Sequence, residues 1–127
     1  MINLTFKMKN SNLSDRVLKY VLNCSNDEFQ SLTVSKLAEI FKVNRCYLSR
    51  RFKNDKEFTI CEFLVREKLF RSVGILKEDT QLTIKEISEK MGFANSNYFI
   101  RIFKRHFGTT PGRYREFINL KLSGTAI

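Results

Sequence analysis

The sequence has little proline, glycine, histidine or tryptophan, and no long apolar run. Its 127 residues include one Pro, five Gly, one His and no Trp. So few Pro and Gly residues exclude collagen-like and linker-like chains. No run of 18 apolar residues is present, which argues against a membrane-spanning helix, and Met1–Lys7 lacks the apolar stretch of a secretory signal. We therefore expect a cytoplasmic protein.

Cysteine and histidine are too sparse to predict a disulfide framework or a metal site. Cys24, Cys46 and Cys61 are an odd number with wide, unequal spacing, and His106 is the single histidine. There is also no nucleophile beside a base, no suitable carboxylate pair and no Gly-rich phosphate loop. We expect reduced thiols, no metal, no cofactor and no enzymatic activity.

Acidic residues are fewer than basic ones, and the difference suggests the class of partner. Lys and Arg number 23 against 13 Asp and Glu, which gives a net charge of +10. Such a chain favours an anionic partner: nucleic acid, an anionic membrane surface or an acidic protein. The 43% hydrophobic content predicts a folded chain, and this length fits one domain or two very small lobes.

Apolar residues at helical spacing predict an all-α fold. The first helix is predicted near residues 13–24, and the polar segment 26–31 after it is predicted to be a turn. A long helix is predicted from Ile60 to about Leu76. Residues suited to begin the later helices are Thr33, Asn44, Thr59, Thr83, Asn95 and Thr110. Two of these threonines form Thr-x-x-Glu capping boxes, Thr59 with Glu62 and Thr83 with Glu86.

Residues 37–53 align with residues 87–104 when one extra residue, Ala94, is allowed in the second copy. The agreeing pairs are Ala38 with Ser88, both small, and the identical pairs Glu39/Glu89, Asn44/Asn95, Tyr47/Tyr98, Arg50/Arg101, Phe52/Phe103 and Lys53/Lys104. Each copy predicts a short helix, a tight turn and a second, capped helix. This is the outline of a helix-turn-helix.

The second helix of each copy is predicted to present a basic face. With Leu48 and Phe52 inward, the outward residues of the first copy are Cys46, Ser49, Arg50 and Lys53. Those of the second copy are Asn97, Arg101, Lys104 and Arg105. Arg suits guanine, Asn suits adenine and Lys suits phosphate, so both faces are predicted to contact a DNA groove. For Tyr47 and Tyr98 two interpretations stay open: a hydroxyl contact to phosphate, or packing at the lobe edge.

The second copy resembles the signature of the AraC/XylS family of bacterial transcription regulators. The resemblance lies in Ile87, Gly92-Phe93, Asn97-Tyr98-Phe99, Arg101, Phe103-Lys104, Gly108, Thr110-Pro111 and Tyr114-Arg115. Over residues 10–120 the chain is similar to that family's DNA-binding domain. The resemblance implies a homeodomain-like, all-α fold of about seven helices, with two helix-turn-helix lobes joined by a long linker helix.

The resemblance also implies which side chains read bases. They are Cys46, Ser49 and Arg50 in the first lobe and Ser96, Asn97, Ile100 and Arg101 in the second. The phosphate contacts are assigned to Arg45, Lys53, Lys104 and Arg105. The expected function is a sequence-specific transcription regulator, with activation favoured over repression. It is expected to bind double-stranded DNA in the nucleoid and to read two major-groove boxes about one helical turn apart.

The predicted organisation has five parts. These are a flexible N-terminus at 1–10, a first lobe at 11–58, a linker helix at 59–78, a second lobe at 79–120 and a flexible tail at 121–127. Four positions depart from the family pattern. Glu57 replaces a frequent Gly after the first recognition helix, which predicts a strained left-handed cap or a different exit. Lys68 and Ser72 replace Arg and Ala, and Gly74 within the linker costs up to about 1 kcal/mol, which predicts a softer helix.

Alternative functions stay open at this point. The chain can be an interaction module that docks on RNA polymerase or on a related regulator, although such a module does not need Arg50 and Arg101 at matched positions. RNA polymerase is also a candidate partner of the expected regulator, whereas no membrane partner and no small-molecule effector site are indicated. A sensor domain does not fit within 127 residues. The chain is therefore a stand-alone monomeric member, which a start at Met1 favours, or the DNA-binding fragment of a longer, effector-responsive regulator.

Overall fold

The computed structural model describes residues 12–122, and within them the chain forms eight α-helices and no β-strand. The helices are α1 Leu13–Asn23, α2 Asn26–Gln30, α3 Val34–Ile40, α4 Arg45–Lys56, α5 Ile60–Glu78, α6 Ile84–Lys90, α7 Ser96–Phe107 and α8 Pro111–Leu122. The predicted all-α fold is confirmed. The predicted N-terminal segment 1–10 lies outside the described residues. The predicted tail, 121–127, begins within α8, which ends at Leu122, and its residues 123–127 also lie outside the described residues.

The sequence prediction missed α2, which lies in the segment that was predicted to be a turn. Ser25 and Glu28 form a capping box, in which each side chain accepts a hydrogen bond from the other residue's backbone N–H. Phe29 is fully buried. A five-residue helix is too short to show periodicity. The Ser-x-x-Glu pattern before an inward aromatic residue was the available signal.

The chain divides into two compact units, and the boundary falls inside α5, between Glu67 and Lys68. In the first unit α1 and α3 pack on α4. The core includes Leu37, Leu48 and Phe52, which are fully buried. The capping residues of α4 and α7 are the two asparagines that the sequence predicted: Asn44 accepts the N–H of Tyr47 at 3.0 Å, and Asn95 accepts that of Tyr98 at 2.7 Å.

Helices α3 and α4 form one helix-turn-helix, and α6 and α7 form the other. In the turn of the first helix-turn-helix, Lys42 has a left-handed backbone conformation with φ 55°. In the turn of the second, Gly92 has one with φ 80°. After each turn a backbone N–H returns to the preceding helix: Val43 donates to the Ala38 carbonyl and Phe93 to the Ser88 carbonyl, both at 3.0 Å. Ala94 follows these bonds, so the extra residue lengthens the second turn without changing its hydrogen bonds.

The second unit has a core rich in aromatic rings. Helices α6 and α8 pack against α7. Phe103 is fully buried, and its ring centre lies 5.7 Å from that of Phe99 and 5.8 Å from that of Tyr114. Ser88, which aligns with Ala38, is also fully buried, and its hydroxyl has no hydrogen-bond partner within residues 12–122. Both repeats therefore use a small residue at this buried position.

The long helix α5 continues through Ser72 and Gly74, two of the residues that depart from the family pattern. The predicted capping box is present, since Thr59 Oγ1 accepts the Glu62 N–H at 3.0 Å and the carboxylate accepts the Thr59 N–H at 2.8 Å. Ser72 is fully buried and donates to the Leu69 carbonyl at 2.6 Å. The helix continues through Gly74, where an added Cβ meets no atom within 4 Å. The softness of this helix stays a prediction.

Both recognition helices, α4 and α7, end with a left-handed residue. Gly108 has φ 81° after α7, and Glu57 has φ 68° after α4. Of the two outcomes predicted for Glu57, the structure therefore adopts the left-handed cap. A side chain there is strained by about 1 to 2 kcal/mol, because its Cβ crowds the following carbonyl oxygen.

Glu57→Gly is expected to raise the free energy of unfolding by up to about 1 kcal/mol. Relief of the left-handed strain exceeds the extra backbone entropy that glycine loses on folding. Gly108→Ala is the matched opposite change, and it is expected to lower the free energy of unfolding by about 1 kcal/mol. Urea denaturation followed by far-UV circular dichroism measures both variants. A less stable Glu57→Gly protein would contradict the strain.

Candidate nucleic-acid interface

Helix α4 separates an apolar inner face from a basic outer face. Leu48 and Phe52 are fully buried. Counted from Arg45, the other four predicted contact residues follow at one, four, five and eight positions along the helix. This spacing places all five along one side of it. They are Arg45, Cys46, Ser49, Arg50 and Lys53, of which only Ser49 is partly buried and the others are exposed. The structure therefore brings the first set of predicted residues together on one surface.

Helix α7 repeats this arrangement with different side chains. Phe99 and Phe103 are fully buried. The predicted contact residues are Ser96, Asn97, Ile100, Arg101, Lys104 and Arg105. Asn97 and the three cations are exposed, whereas Ser96 and Ile100 are partly buried at the edge of the same face. The second predicted set therefore also forms one surface, with an apolar side chain that α4 lacks at the matching position.

The tyrosines at the same repeat position contact different arginines. The Tyr47 hydroxyl accepts a hydrogen bond from Arg51 Nη1 at 3.1 Å. Tyr98 instead has the Arg101 guanidinium 5.5 Å from its ring centre, within the range of a cation–π contact. Residue 102 is Ile, so α7 has no arginine where α4 has Arg51. Of the two matched arginines, Arg50 and Arg101, only Arg101 is described with a contact to the tyrosine ring of its own helix.

Arg51 belongs to a chain of polar contacts that the sequence did not predict. Its Nε donates to Asp55 Oδ2 at 3.0 Å, and the same oxygen accepts the Ser14 hydroxyl of α1 at 2.7 Å. The hydrogen bond from Ser14 lowers the pKa of the Asp55 carboxyl, and the hydrogen bond from Arg51 lowers it to a smaller extent. Lys56 of α4 and Asp15 of α1 form an ion pair between the two helices. These contacts fix the orientation of Arg51 beside the outer face of α4.

An open groove runs beside α4 on this side of the helix. Its lining includes Tyr47, Arg50, Arg51, Lys53 and Asn54. Three of these lining residues are cations; Asp55 pairs with Arg51, whereas residues 40–54 themselves contain no acidic residue. A concave, positively charged surface of this kind attracts the DNA backbone.

Two further cations of the second unit, Lys68 and Arg115, donate hydrogen bonds to backbone carbonyls. Lys68 is half-buried between the Gly92 carbonyl, 3.4 Å away, and the Phe93 ring, and burial lowers its pKa. Arg115 donates to the carbonyls of Leu82 at 2.6 Å and Asp79 at 3.1 Å. Arg115 therefore holds the loop between α5 and α6.

Residues 12–122 offer no group of three His, Cys, Asp or Glu side chains placed to hold a metal ion. Cys24, Cys46 and Cys61 form no disulfide, and Cys24 is buried whereas Cys46 and Cys61 are exposed. None of the helices in this range is both long enough and apolar enough to span a membrane.

Comparison with known proteins places this arrangement in a family. The family model described as "Helix-turn-helix domain" matches residues 37–116, which include both recognition helices. The chain belongs to the AraC/XylS family. Since the match spans α4 and α7, the AraC/XylS assignment rests on both lobes and not on the signature of the second lobe alone.

Three relatives illustrate the AraC/XylS resemblance. The chain is 34% identical over 106 residues to the "Uncharacterized HTH-type transcriptional regulator YtdP" of Bacillus subtilis, covering 83% of this chain and 13% of YtdP. It is 30% identical to the "Probable transcription factor PqrA" of Proteus vulgaris, covering 83% and 84% of the two chains. The C-terminal domain of the response regulator yesN from Fusobacterium nucleatum matches with a TM-score of 0.68 at 30% identity, covering 83% and 99%.

Some AraC/XylS relatives are much longer than the matched region. The chain spans 13% of YtdP and about a third of the Msm operon regulatory protein of Streptococcus mutans. The similarity therefore covers the helix-turn-helix part of those proteins.

Proposed function

We propose that the chain is a sequence-specific DNA-binding transcription regulator in which each helix-turn-helix reads one major-groove box. The observation that supports this most directly is the matched pair Arg50 and Arg101, exposed at the same repeat position of α4 and α7. An arginine there can bind O6 and N7 of a guanine through two hydrogen bonds. A surface that only docks on protein does not need the same cation twice.

The other outward residues differ between α4 and α7, so the two helices are proposed to prefer different bases. Asn97 suits adenine, and Ile100 suits the methyl group of thymine. Cys46, Ser49 and Ser96 are small enough to let the helix approach the bases. The residues proposed to bind phosphate are Arg45, Lys53, Lys104 and Arg105, which position the helices without reading sequence.

The proposed binding mode uses the first lobe at 11–58, the linker helix at 59–78 and the second lobe at 79–120. Two such lobes on one face of DNA read boxes about 10 bp apart, the length of one helical turn. A soft linker at Gly74 favours bending of the duplex or engagement of one lobe at a time.

The regulator is proposed to act in the cytoplasm as an activator that contacts RNA polymerase, without a cofactor and without enzymatic activity. Its cations are spread over two capped units instead of one amphipathic stripe, which favours DNA over a membrane surface. The greater length of relatives such as YtdP favours a second possibility, that this domain works within a longer, effector-responsive regulator.

Selection of bound duplexes from a randomised library, followed by sequencing, tests the proposed function. At about 150 mM salt nonspecific phosphate binding is weak, so enrichment reports base reading. We expect two enriched boxes about one helical turn apart. The double variant Arg50→Ala/Arg101→Ala, shown to be folded by circular dichroism, is the control that should lose both boxes.

The other outcomes also have defined meanings. One enriched box would mean that one lobe reads DNA while the other supports it. No enrichment by the folded wild-type protein would contradict sequence-specific binding and favour a protein-interaction module.

A further inference from the structure

Tyr47 and Arg51 are held in an arrangement that the base-reading residues do not explain. Asp55 accepts Arg51 Nε at 3.0 Å, and Ser14 and Asn12 of the neighbouring segment donate to the same carboxylate oxygen at 2.7 and 3.4 Å. Arg51 in turn donates to the Tyr47 hydroxyl at 3.1 Å. Tyr47, the last residue in this series of hydrogen bonds, is 46% exposed to solvent.

The direction of these hydrogen bonds leaves donors free at the solvent end. Because the Tyr47 hydroxyl oxygen accepts from Arg51, its own proton is available to a second acceptor. A guanidinium has five N–H donors, and the bonds to Asp55 and Tyr47 leave three without a partner among residues 12–122. Tyr47 and Arg51 are adjacent groups that together offer several donors, which suits an anion with several oxygens.

The surroundings favour a phosphate of the DNA backbone as this anion. Tyr47 and Arg51 line the groove that also contains Arg50 and Lys53. Arg50 lies one turn along the helix from the tyrosine, on the face proposed to enter the major groove. A backbone phosphate at the rim of that groove would therefore lie near Tyr47 and Arg51.

We propose that Tyr47 and Arg51 together bind one backbone phosphate, and that the ties of Asp55 to α1 position them for it. This proposal rests on the proposed function, and it adds two phosphate contacts to the first lobe. The second unit lacks the arrangement, because Ile102 and His106 stand where α4 has Arg51 and Asp55. The contact is therefore specific to the first lobe.

The test compares Tyr47→Phe with the matched control Tyr98→Phe. Tyr47→Phe removes one neutral donor to a charged group and should weaken binding about tenfold, both to the enriched duplex and to a scrambled duplex of the same composition. The loss is equal because a phosphate carries no sequence information. Tyr98→Phe keeps the ring beneath Arg101 and should bind like wild type. Fluorescence anisotropy at several salt concentrations measures all three proteins.

Salt dependence separates the two groups of the site. Arg51→Gln removes one cation and should reduce the slope of log K against log salt by about 0.9, whereas Tyr47→Phe should leave that slope unchanged. Phosphate ethylation of the duplex gives an independent readout: ethylation of one phosphate beside the first box should interfere with wild-type binding, and it should interfere less with Tyr47→Phe, which keeps only the Arg51 contact.

Three results would overturn the proposal. They are wild-type affinity of Tyr47→Phe, equal losses in Tyr47→Phe and Tyr98→Phe, or an unchanged ethylation pattern. A lower melting temperature of Tyr47→Phe with unchanged affinity would assign the hydroxyl a structural role instead. Failure of the wild-type protein to bind either duplex, even at about 50 mM salt, would contradict the proposed function itself.

Discussion

Arg101→Ala is expected to weaken binding to the enriched duplex by about 1 to 3 kcal/mol and to relax the base preference in one box only. Its guanidinium already lies 5.5 Å from the centre of the Tyr98 ring. Such a side chain loses less rotamer freedom on binding than a fully mobile one. Arg50 has no hydrogen-bond or ion-pair partner within the described part of the chain, so Arg50→Ala is expected to have an effect nearer the lower end of this range, in the other box.

Anisotropy titrations at about 150 mM salt measure this effect on the enriched duplex and on duplexes with each base pair of the boxes changed in turn. Lys19→Ala removes an exposed cation of α1 and is the charge-matched control. It should leave the base preference unchanged. If Arg101→Ala lost the same affinity on every duplex, its contact would be to phosphate and not to a base.

Arg115→Ala is expected to lower the free energy of unfolding by about 2 to 3 kcal/mol. The guanidinium bonds the carbonyls of Asp79 and Leu82, and its removal leaves both without this donor. Arg115→Lys is expected to recover only part of the loss, because an ammonium cannot reproduce the fork that spans two carbonyls.

Urea denaturation followed by tyrosine fluorescence and far-UV circular dichroism measures the stability of these variants. Arg113→Ala changes an exposed arginine two residues away on α8 and should alter stability by less than about 0.5 kcal/mol. Equal stability of Arg115→Ala and Arg113→Ala would show that the loop between α5 and α6 does not depend on the arginine.

Local signals predicted most of the fold. Helix caps such as Asn44, Asn95 and Thr83 depend on residues three positions apart, and the structure contains these contacts where the sequence predicted them. The repeat then predicted two helix-turn-helix units, since two copies of one pattern reinforce each other. The outward faces of α4 and α7 followed from helical geometry alone.

The contacts that the sequence could not predict join residues far apart in the chain. Asp55 meets Ser14 across 41 positions, and Arg115 meets Leu82 across 33. No periodicity links such pairs. The cation counts alone did not distinguish Arg115, which holds a loop, from Arg101, which is exposed on a recognition helix. The helix α2 was missed for the opposite reason, because its five residues are too few for a periodic pattern.

The same carboxylates that begin and join helices make the fold sensitive to acid. Hydrogen bonds from Ser14 to Asp55, from the Thr59 N–H to Glu62 and from the Thr83 N–H to Glu86 lower the pKa of each carboxyl. Their stabilisation is complete above the pKa of the unfolded chain, near about 4, and is lost as the pH falls through the lower folded pKa. Two of these groups belong to the first unit and one to the second, so acid acts on both.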